Sequence, residues 1–398
     1  MTRPSLSLDG VRVIDLSRVL AGPFCGSLLA DMGADVIKVE ATNGGDELHT
    51  WPPHKNGESA AYLVINRNKR GITLDLKAPE GVEIVKRLIK GADVLIENFR
   101  TGTMEKFGLG YQTLAAINPR LIFCSLSAYG REGPRRDGAG YEALMQAFSG
   151  IMSITGEPGG APVRCGVSFL DLTTGIFGAF GIVNALLHRA RTGVGQRVDG
   201  SLLETAISLL SYHAEGYLLT GAIPKPLGSG HPSLSPYRTF LCRDGHWLFI
   251  AGANDRLWSR LVDALDVPAL RDAKFAKNPG RVQHREELER LLGEVVAGRD
   301  REPLLSMLEA AGVPATPVNT VEQVMADPQT KARSMIQLVK HPNLGEIPIL
   351  GMPVKYSNMA PSVRRHAPVV GEHTDEVLAE CGLDAAAIAA LRSRKVVL

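Results

Sequence analysis

Cysteine is scarce in this chain of 398 residues, and its five cysteines are scattered without a CxxC pair. Disulfide frameworks and structural zinc sites need cysteines at paired spacings, so neither is expected. The histidines do not replace them, because His213, His231 and His246 lack the spacing of metal ligands. We therefore predict no metal site, and a chain with unpaired cysteines fits a reducing, cytoplasmic location.

An excess of positive charge is also missing. Lysine and arginine number 44 against 42 acidic residues, and the two signs are interspersed. Nucleic-acid binding needs a basic stripe or patch, so no nucleic-acid partner is expected. The longest apolar run, residues 172–187, is short and rich in glycine, and the first residues lack the apolar core of a secretion signal. No membrane partner is expected, and the sequence favours a small-molecule ligand.

Several catalytic signatures are absent, including HExxH, the phosphate-binding P-loop and GxSxG. The GxGxxG fingerprint of dinucleotide-binding folds is missing too, which disfavours a nicotinamide or flavin enzyme. The first strand-to-helix turn instead contains Gly22, which permits a tight turn, and Pro23, which suits a first helical turn. Such a turn is either a phosphate site or a plain connection.

Short β-branched runs alternate with helical patterns in the first half of the chain, which predicts a parallel sheet wrapped by helices. Helices then dominate residues 141–220, and the glycines at 175, 178 and 181 predict a close approach of another backbone. The predicted strands cover residues 11–16, 36–39, 94–99, 121–126, 237–242 and 247–251, and the predicted helices cover residues 24–32, 80–90, 173–191, 285–296 and 301–311.

A shift to proline, glycine and serine marks a linker, and a predicted hairpin opens a second domain after it. The predicted organisation is a large domain over residues 1–222, a linker and glycine loop over 223–236, a small domain over 237–328, and a C-terminal segment, 329–398, that returns to the large domain.

Asp171 is the most informative single residue, because its carboxylate stands alone in an apolar stretch where a helix begins. Helix starts carry partial positive charge and free N–H groups, so Asp171 fits an N-cap for Thr173 and Thr174. A reacting carboxylate is the other interpretation. Local sequence leaves both interpretations open.

Two other clusters have a functional and a structural interpretation. Arg70, Lys77 and Lys106 follow predicted strand ends, where they either hold the phosphates of a nucleotide or are solvated surface charges. The segment 227–232, with two glycines around Ser229 and a histidine, is either a mobile lid or a plain linker.

Six short motifs follow one another along the chain: LDGVRVIDL at 8–16, AGP at 21–23, LADMGADVIKVE at 29–40, NKR at 68–70, ENF at 97–99 and DLTTG at 171–175. Taken in this order, they resemble the family III CoA-transferases of the CaiB/BaiF type. The resemblance spans essentially the whole chain. It implies a Rossmann-like large domain with a parallel sheet, a smaller α+β domain and an interlocked homodimer. It implies no permanently bound cofactor, since coenzyme A enters as the acyl-CoA substrate.

The resemblance also implies a site. Asp171 matches the catalytic aspartate of the family, which forms a mixed anhydride and then an aspartyl-CoA thioester, and Glu142 matches a position near the thioester. The glycine loop of Gly228, Ser229 and Gly230 would cover the anhydride, while His231 would orient the acceptor carboxylate. The implied contacts to coenzyme A are Arg18, Val19, Leu20, Ala21, Leu74, Lys77, Asn98, Phe99, Arg100, Lys106 and Tyr141.

The overall likeness is to succinyl-CoA:glutarate-type transferases, which implies CoA transfer from succinyl-CoA to a small dicarboxylic acid. Three positions depart from relatives. Ala41 replaces an arginine near the adenine, Lys106 offers a point charge in place of a planar guanidinium, and Ala139 lacks a basic side chain present in some formyl-CoA-transferring members.

Two alternatives remain from the sequence. One is the α-methylacyl-CoA racemase branch of the superfamily, which needs two bases, although residues 137–141 lack its histidine. The other is a non-catalytic CoA-binding protein, which would need neither Asp171 nor the glycine loop.

Overall fold

The computed structural model describes residues 6–398, which divide into two compact units. The first unit comprises residues 6–149, 165–215 and 329–398. The second comprises residues 150–164 and 216–328. The sequence predicts segment 150–164 to be part of the large domain over residues 1–222, and this prediction is wrong. The segment belongs with the second unit because the glycine loop anchors on it, with the Gly228 N–H donating to the Gly156 carbonyl at 2.8 Å.

The secondary structure of residues 6–398 mixes strands and helices along the chain. The strands are β1 Arg12–Asp15, β2 Asp35–Glu40, β3 His54–Lys55, β4 Glu58–Ser59, β5 Arg70–Thr73, β6 Val94–Glu97, β7 Ile122–Ser127, β8 Arg197–Ser201, β9 Tyr237–Leu241, β10 Trp247–Ala251, β11 Ala315–Pro317, β12 Ile336–His341 and β13 Gly345–Leu350. The α-helices are α1 Ala21–Asp31, α2 Ala60–Ile65, α3 Pro79–Lys90, α4 Thr103–Lys106, α5 Tyr111–Ile117, α6 Glu142–Phe148, α7 Phe169–Thr192, α8 Leu202–Thr220, α9 Asp255–Leu265, α10 Asn278–Gln283, α11 Arg285–Ala297, α12 Arg301–Ala310, α13 Val321–Ala326, α14 Pro328–Ala332, α15 Thr374–Glu380 and α16 Ala385–Ser393. Short 3₁₀ helices cover Glu47–Thr50, Ile151–Ser153, Pro268–Arg271 and Ala273–Phe275.

A six-stranded sheet with the order β5-β2-β1-β6-β7-β8 forms the centre of the first unit, and all its strand pairs are parallel. Both faces of this sheet are covered. Val13 packs with α1 and α7 on one face, while its neighbour Ile14 packs with α3, α15 and α16 on the other, and both are fully buried. Two covered faces explain why these strands are continuous apolar runs without polar alternation. The α/β architecture expected from the sequence is therefore confirmed for this unit.

Two strands of this sheet, β5 and β8, were not predicted from the sequence. β5 and β8 are its two edges, and β8 falls in the region predicted to be helical. An edge strand pairs on one side only, so it tolerates the charged and glycine residues that both segments carry. Their sequences consequently lack the apolar runs that marked the inner strands.

Helix α7 runs for 24 residues and starts at Phe169, four residues earlier than predicted. Its glycines allow the close approach that their spacing predicted. A side chain at 175 would lie 2.7 Å from the carbonyl oxygen of Ala21, and one at 178 would lie 3.2 Å from the sulfur of Cys25. The helix is long and apolar enough to cross a membrane by length and composition alone, but the glycine face packs on α1 and the sheet as a core helix does.

In the second unit, β9, β10 and β11 form an antiparallel sheet with the order β11-β10-β9. Its core consists of apolar residues from that sheet together with α9, α11 and α12, including Leu248, Leu261 and Leu292. The hairpin predicted over 237–242 and 247–251 is confirmed by the β9–β10 pairing.

Candidate active site

The centre of the large sheet leaves a crevice at its carboxyl edge. β1 lies between β2 and β6, so the connections from β1 and β6 leave in opposite directions along the sheet. Ligands of open α/β sheets bind at such a switch point, outside the carboxyl ends of the strands. The loops that follow β1, β6 and β7 surround a cavity of ≈ 200 Å³ at this point. The cavity is lined by Arg18, Val19, Leu20, Ala21, Asn98, Phe99, Leu126, Ser127, Ala128, Gly140, Tyr141, Glu142, Asp171, Thr174 and Leu202.

Asp171 reaches this cavity from the first turn of α7. The N-cap of that helix is Ser168, so the interpretation of Asp171 as the capping residue is wrong. The Asp171 carboxylate accepts no hydrogen bond from any residue between 6 and 398. Burial and, to a smaller extent, the negative charge of the nearby Glu142 carboxylate together raise its pKa from 3.8 to about 7. An unpaired, desolvated carboxylate of this kind in a cavity is a candidate catalytic residue.

Glu142 is the first residue of α6 and is buried beside Asp171. Its orientation is fixed by Gln146, one turn further along the helix, whose Nε2 donates to Glu142 Oε1 at 2.6 Å. Gln146 is itself fully buried and accepts a hydrogen bond from the Cys165 N–H at 2.9 Å. Glu142 is thus held in place by contacts that leave its charge close to Asp171.

The loop between β1 and α1 forms a wall of the cavity, and Asn98 holds it from the end of β6. The Arg18 N–H donates to Asn98 Oδ1, and Asn98 Nδ2 donates to the Arg18 carbonyl, both at 2.8 Å. The Arg18 guanidinium lies 5.1 Å from the centre of the Phe99 ring. A cation and an aromatic face therefore stand together at the cavity mouth.

A second cavity of ≈ 340 Å³ adjoins the first, because Arg18 and Phe99 line both. Leu74 and Lys77, which follow β5, contribute to it. Its remaining lining comes from Leu16, Val39, Glu40, Ala41, Thr42, Asn43, Gly45, Asp75, Leu76 and Phe107. The two cavities together offer an elongated ligand a path from the sheet edge to Asp171.

Three basic residues lie elsewhere than the sequence suggested. Arg70 holds no phosphate, because its buried guanidinium pairs with Asp35, Glu376 and Glu380 at 2.6 to 2.7 Å. Arg100 lines a different cavity, together with Glu97 and Arg131. Lys106 is exposed at the end of α4 and lines neither of the two adjoining cavities.

The predicted glycine loop belongs to the second unit. Gly228 has a φ of 59°, and a side chain there would meet the Glu157 carboxylate at 2.6 Å, so glycine is required. The Ser229 hydroxyl bonds the Thr239 hydroxyl at 2.8 Å, and His231 Nδ1 accepts from the Ser233 N–H at 3.2 Å. Glu157 was not anticipated, since nothing in its local sequence indicates contact with a loop some 70 residues away.

Sequence reasoning missed several residues of the site. Thr174 and Leu202 line the cavity from helices, and residues 126–128 line it from the end of β7. A buried charge network beneath the β1–α1 loop was also missed, although one signal existed: Lys38 interrupts an apolar strand, and a charge in such a strand requires a partner. Among residues 6–398, no three His, Cys, Asp or Glu side chains converge in a way that would hold a metal ion.

The model of a family described as CoA-transferase family III matches residues 8–374. The chain belongs to CoA-transferase family III. This confirms the resemblance drawn from the ordered motifs, and it establishes a CoA-transferase with CoA thioesters as its substrates.

Relatives of this transferase match it along most of its length. An acyl-CoA transferase from Fusarium pseudograminearum is 43% identical, with 96% of this chain and 86% of the relative covered. A succinate–glutarate CoA-transferase from Agrobacterium fabrum is 42% identical over 94% of this chain and 95% of its own. The crystal structure of a CaiB/BaiF family protein from Brucella suis superposes with a TM-score of 0.85 at 41% identity, covering 95% of this chain and all of that one. The mixed α/β fold is therefore shared with a solved CaiB/BaiF protein.

Proposed function

We propose that this transferase moves CoA from succinyl-CoA to a small dicarboxylic acid, with Asp171 as the covalent carrier. The observation that carries the proposal is the Asp171 carboxylate itself, unpaired and desolvated in the cavity at the switch point of the sheet. The substrate class is supported by the Agrobacterium fabrum relative, whose name specifies succinate and glutarate.

The reaction is a series of exchanges at one carboxylate. An Asp171 oxygen attacks the thioester carbonyl, the C–S bond breaks, and a mixed anhydride forms as the CoA thiolate leaves. The thiolate then attacks the Asp171 carbonyl carbon, which releases succinate and gives an aspartyl-CoA thioester. The acceptor carboxylate attacks that carbon and expels the thiolate, which gives a second mixed anhydride. The thiolate then attacks the acceptor's carbonyl carbon in this anhydride, which forms the new acyl-CoA and releases the Asp171 carboxylate. Splitting the transfer in this way replaces one difficult exchange by easier steps.

The position of Asp171 in the first turn of α7 supports these steps electrostatically. A helix start carries partial positive charge and N–H groups not used within the helix. Each tetrahedral intermediate develops an oxyanion, and N–H groups preorganised near Asp171 stabilise it. The family resemblance extends the proposal to the glycine loop and His231 as covering and orienting groups.

The two adjoining cavities fit the shape of coenzyme A, which is a long molecule with a nucleotide at one end and a thiol at the other. We infer that the nucleotide occupies the ≈ 340 Å³ cavity beside Lys77, and that the arm passes between Arg18 and Phe99 toward Asp171. Lys77 is exposed and supplies positive charge for a phosphate.

A transfer screen tests the substrate proposal. The purified protein is incubated with succinyl-CoA and one free acid at a time, and each new acyl-CoA is identified by mass spectrometry. We expect glutarate or a closely related dicarboxylate to be converted, and oxalate and formate not to be. Conversion of no acid with any CoA donor, together with deuterium exchange at the α-carbon of a 2-methylacyl-CoA, would favour the racemase alternative instead.

We also propose that the protein is a homodimer, because one face of α7 is apolar and exposed in the single chain. Ile176, Phe177, Phe180, Val183 and Leu187 are each 45 to 67% exposed. A contiguous apolar face of this kind is unusual on a monomer and typical of a protein interface. A second copy of the chain is the occupant that the family resemblance implies.

Replacing an exposed side chain of this face by a charge should weaken the dimer. We expect Phe180→Glu to shift the light-scattering mass from dimer toward monomer, because a buried, unpaired carboxylate opposes association. Lys90→Glu, on the exposed side of α3, is the matched charge-changing control and should remain dimeric. A wild-type protein that is monomeric at all concentrations would contradict the proposal.

A further inference from the structure

Val19 has an unusual backbone conformation in the loop that lines the candidate active site. Its φ is 65°, in the left-handed region. Few non-glycine residues adopt this conformation, and a β-branched side chain makes it a genuine outlier. Val19 is also one of the residues in contact with the cavity. The conformation must be enforced by neighbouring groups, since the local sequence does not favour it.

Asp46 enforces it directly. The Val19 N–H donates to both carboxylate oxygens of Asp46, each at 3.2 Å. Asp46 also accepts the Leu48 N–H at 3.1 Å, and its own N–H donates to Glu40 Oε2 at 2.8 Å. These contacts with Glu40 and Leu48 hold Asp46 in place independently of its hydrogen bonds to Val19.

Lys38 completes the arrangement from the middle of β2. Its Nζ lies 2.7 Å from Asp46 Oδ2 and also donates to the carbonyl of Ser17. Both side chains of the pair are buried, with 0 and 1% of their surface exposed. Burial alone would raise the pKa of Asp46, but the Lys38 ammonium keeps it below its usual range, so the carboxylate remains ionised.

A second buried pair holds the ends of the same loop. Asp15 accepts the Ser17 N–H at 3.0 Å and is paired with Lys69 at 2.8 Å. Lys69 Nζ also donates to the Pro23 carbonyl at 2.7 Å. The Asp15–Lys69 pair therefore binds the loop at Ser17 and Pro23. The Lys38–Asp46 pair binds it at Ser17 and Val19.

We infer that Asp46, held by Lys38, is a positioning residue that shapes the Val19 wall of the acyl-CoA site. Asp46 does not line the adjoining cavities, so it acts through the backbone of Val19. If the Lys38–Asp46 pair served stability alone, it would not need to bind the backbone of Val19, a cavity residue in a disfavoured conformation. The ligand named here rests on the proposed function, whereas the shaping of the loop does not.

Asp46→Asn tests the inference. The amide has a single acceptor oxygen, so its NH₂ must face either Lys38 or the Leu48 N–H, both of which are donors. We expect the KM for succinyl-CoA to rise about tenfold while kcat changes less than about threefold, the pattern of lost binding without lost chemistry. We also expect faster hydrogen exchange in residues 16–22 of the ligand-free protein, measured by mass spectrometry.

Val19→Gly should rescue the KM defect of Asp46→Asn, which would not happen if Asp46 served only the stability of the fold. Glycine adopts a positive φ without strain, so it no longer needs Asp46 to hold it. In the double variant, we expect Asp46→Asn to raise the KM much less than it does in the presence of Val19. Additive effects of the two substitutions would overturn the inference.

Asp31→Asn is the matched control. Asp31 is equally buried and pairs with Arg67 at 2.6 Å, but its contacts with Arg67 and Asn68 lie at the far end of α1 and do not include the loop. It should lower the unfolding temperature and leave both KM and the exchange of residues 16–22 unchanged. Should Asp46→Asn fail to fold, Asp46→Glu keeps the charge opposite Lys38 while displacing the carboxylate from Val19, and it should show the same two changes to a smaller extent.

Two further results would overturn the inference: wild-type exchange of residues 16–22 in the Asp46 variants, or a KM for succinyl-CoA in Asp46→Asn no higher than that of Asp31→Asn. Calorimetric titration with coenzyme A separates this outcome from failure of the proposed function. If the wild-type protein does not bind coenzyme A, the proposed ligand is wrong, and the exchange data still decide whether Asp46 shapes the loop.

Discussion

Asp171→Ala should abolish CoA transfer, with kcat lowered about 10³-fold or more, because the covalent route has no substitute nucleophile. The reason is specific to the cavity: Asp171 is its unpaired carboxylate at the start of α7, while Glu142 is held by Gln146. The measurement is the rate of acyl-CoA formation from succinyl-CoA and the acceptor identified in the screen.

A chemical readout distinguishes a nucleophile from a carboxylate that only binds substrate. Protein incubated with succinyl-CoA is treated with hydroxylamine, which converts an anhydride or thioester of Asp171 to a hydroxamate. We expect peptide mass spectrometry to locate the modification at Asp171 in the wild-type protein and to find none in Asp171→Ala.

Asp199→Asn is the control for this experiment. Burial also raises the pKa of Asp199, but its carboxylate pairs with Arg197 at 2.9 Å and does not line the cavity. This variant should retain transfer activity and the hydroxamate at Asp171. A fully active Asp171→Ala protein would exclude the covalent carrier, even if CoA transfer itself were observed.

The second large effect is a loss of activity in acid. Only the ionised carboxylate attacks a thioester, and burial followed by the charge of Glu142 raises the pKa of Asp171 to about 7. We expect kcat/KM to fall tenfold per pH unit below this value, so that activity at pH 5 is roughly 100-fold lower than at pH 8. The profile should be measured with saturating acceptor and limiting succinyl-CoA.

Glu142→Gln identifies the source of part of this shift. Removing the neighbouring negative charge makes ionisation of Asp171 easier, so the acid limb of the profile should move to lower pH. Burial is the larger cause and is unchanged, so the pKa of Asp171 should stay above 3.8. An acid limb at the same pH in wild type and variant would contradict the assigned role of Glu142.

The same pKa should be visible in stability without any substrate. Because the folded-state pKa of Asp171 lies above its ordinary value of 3.8, the folded protein favours the neutral carboxyl. That contribution to stability is fully present below about pH 4 and is lost as the pH rises through about 7. Asp171→Asn should therefore exceed the wild type in unfolding free energy by about 2 to 4 kcal/mol at pH 8, and by little at pH 4.

Urea unfolding at these two pH values measures the difference, with Asp199→Asn again as the comparison. Equal stability of Asp171→Asn and wild type at pH 8 would mean that the carboxylate is solvated, and the pH profile would then need another origin. Active sites commonly carry destabilising groups of this kind, since the chemistry requires them.

The class of fold and the family could be predicted from the sequence, and Asp171 could be named as a candidate for the reacting residue. Val13 and Ile14 are adjacent apolar residues with opposite orientations, and both are buried, so the strand pattern already required a sheet covered on two faces. The order of short motifs identified the family, and Asp171 was conspicuous as a charge in an apolar run. The strand pattern and the isolated charge are local properties, and the order of the motifs is a property of the sequence itself, so none of the three depends on contacts made on folding.

Which charged side chains pair with one another depends on contacts that form only on folding. Arg70 was a phosphate candidate from sequence, yet it pairs with Glu376, 306 positions away. Lys38 and Asp46 are close in sequence, but the role proposed for them depends on Val19, which lies in the loop after β1. The burial of Asp171 and its proximity to Glu142, which together raise the pKa of Asp171, likewise arise from the packing of separate helices. Folding sets these distances through the packing of the whole sheet, and the energy of a buried charge depends on those distances, so the electrostatics of the site could not be derived from the order of residues alone.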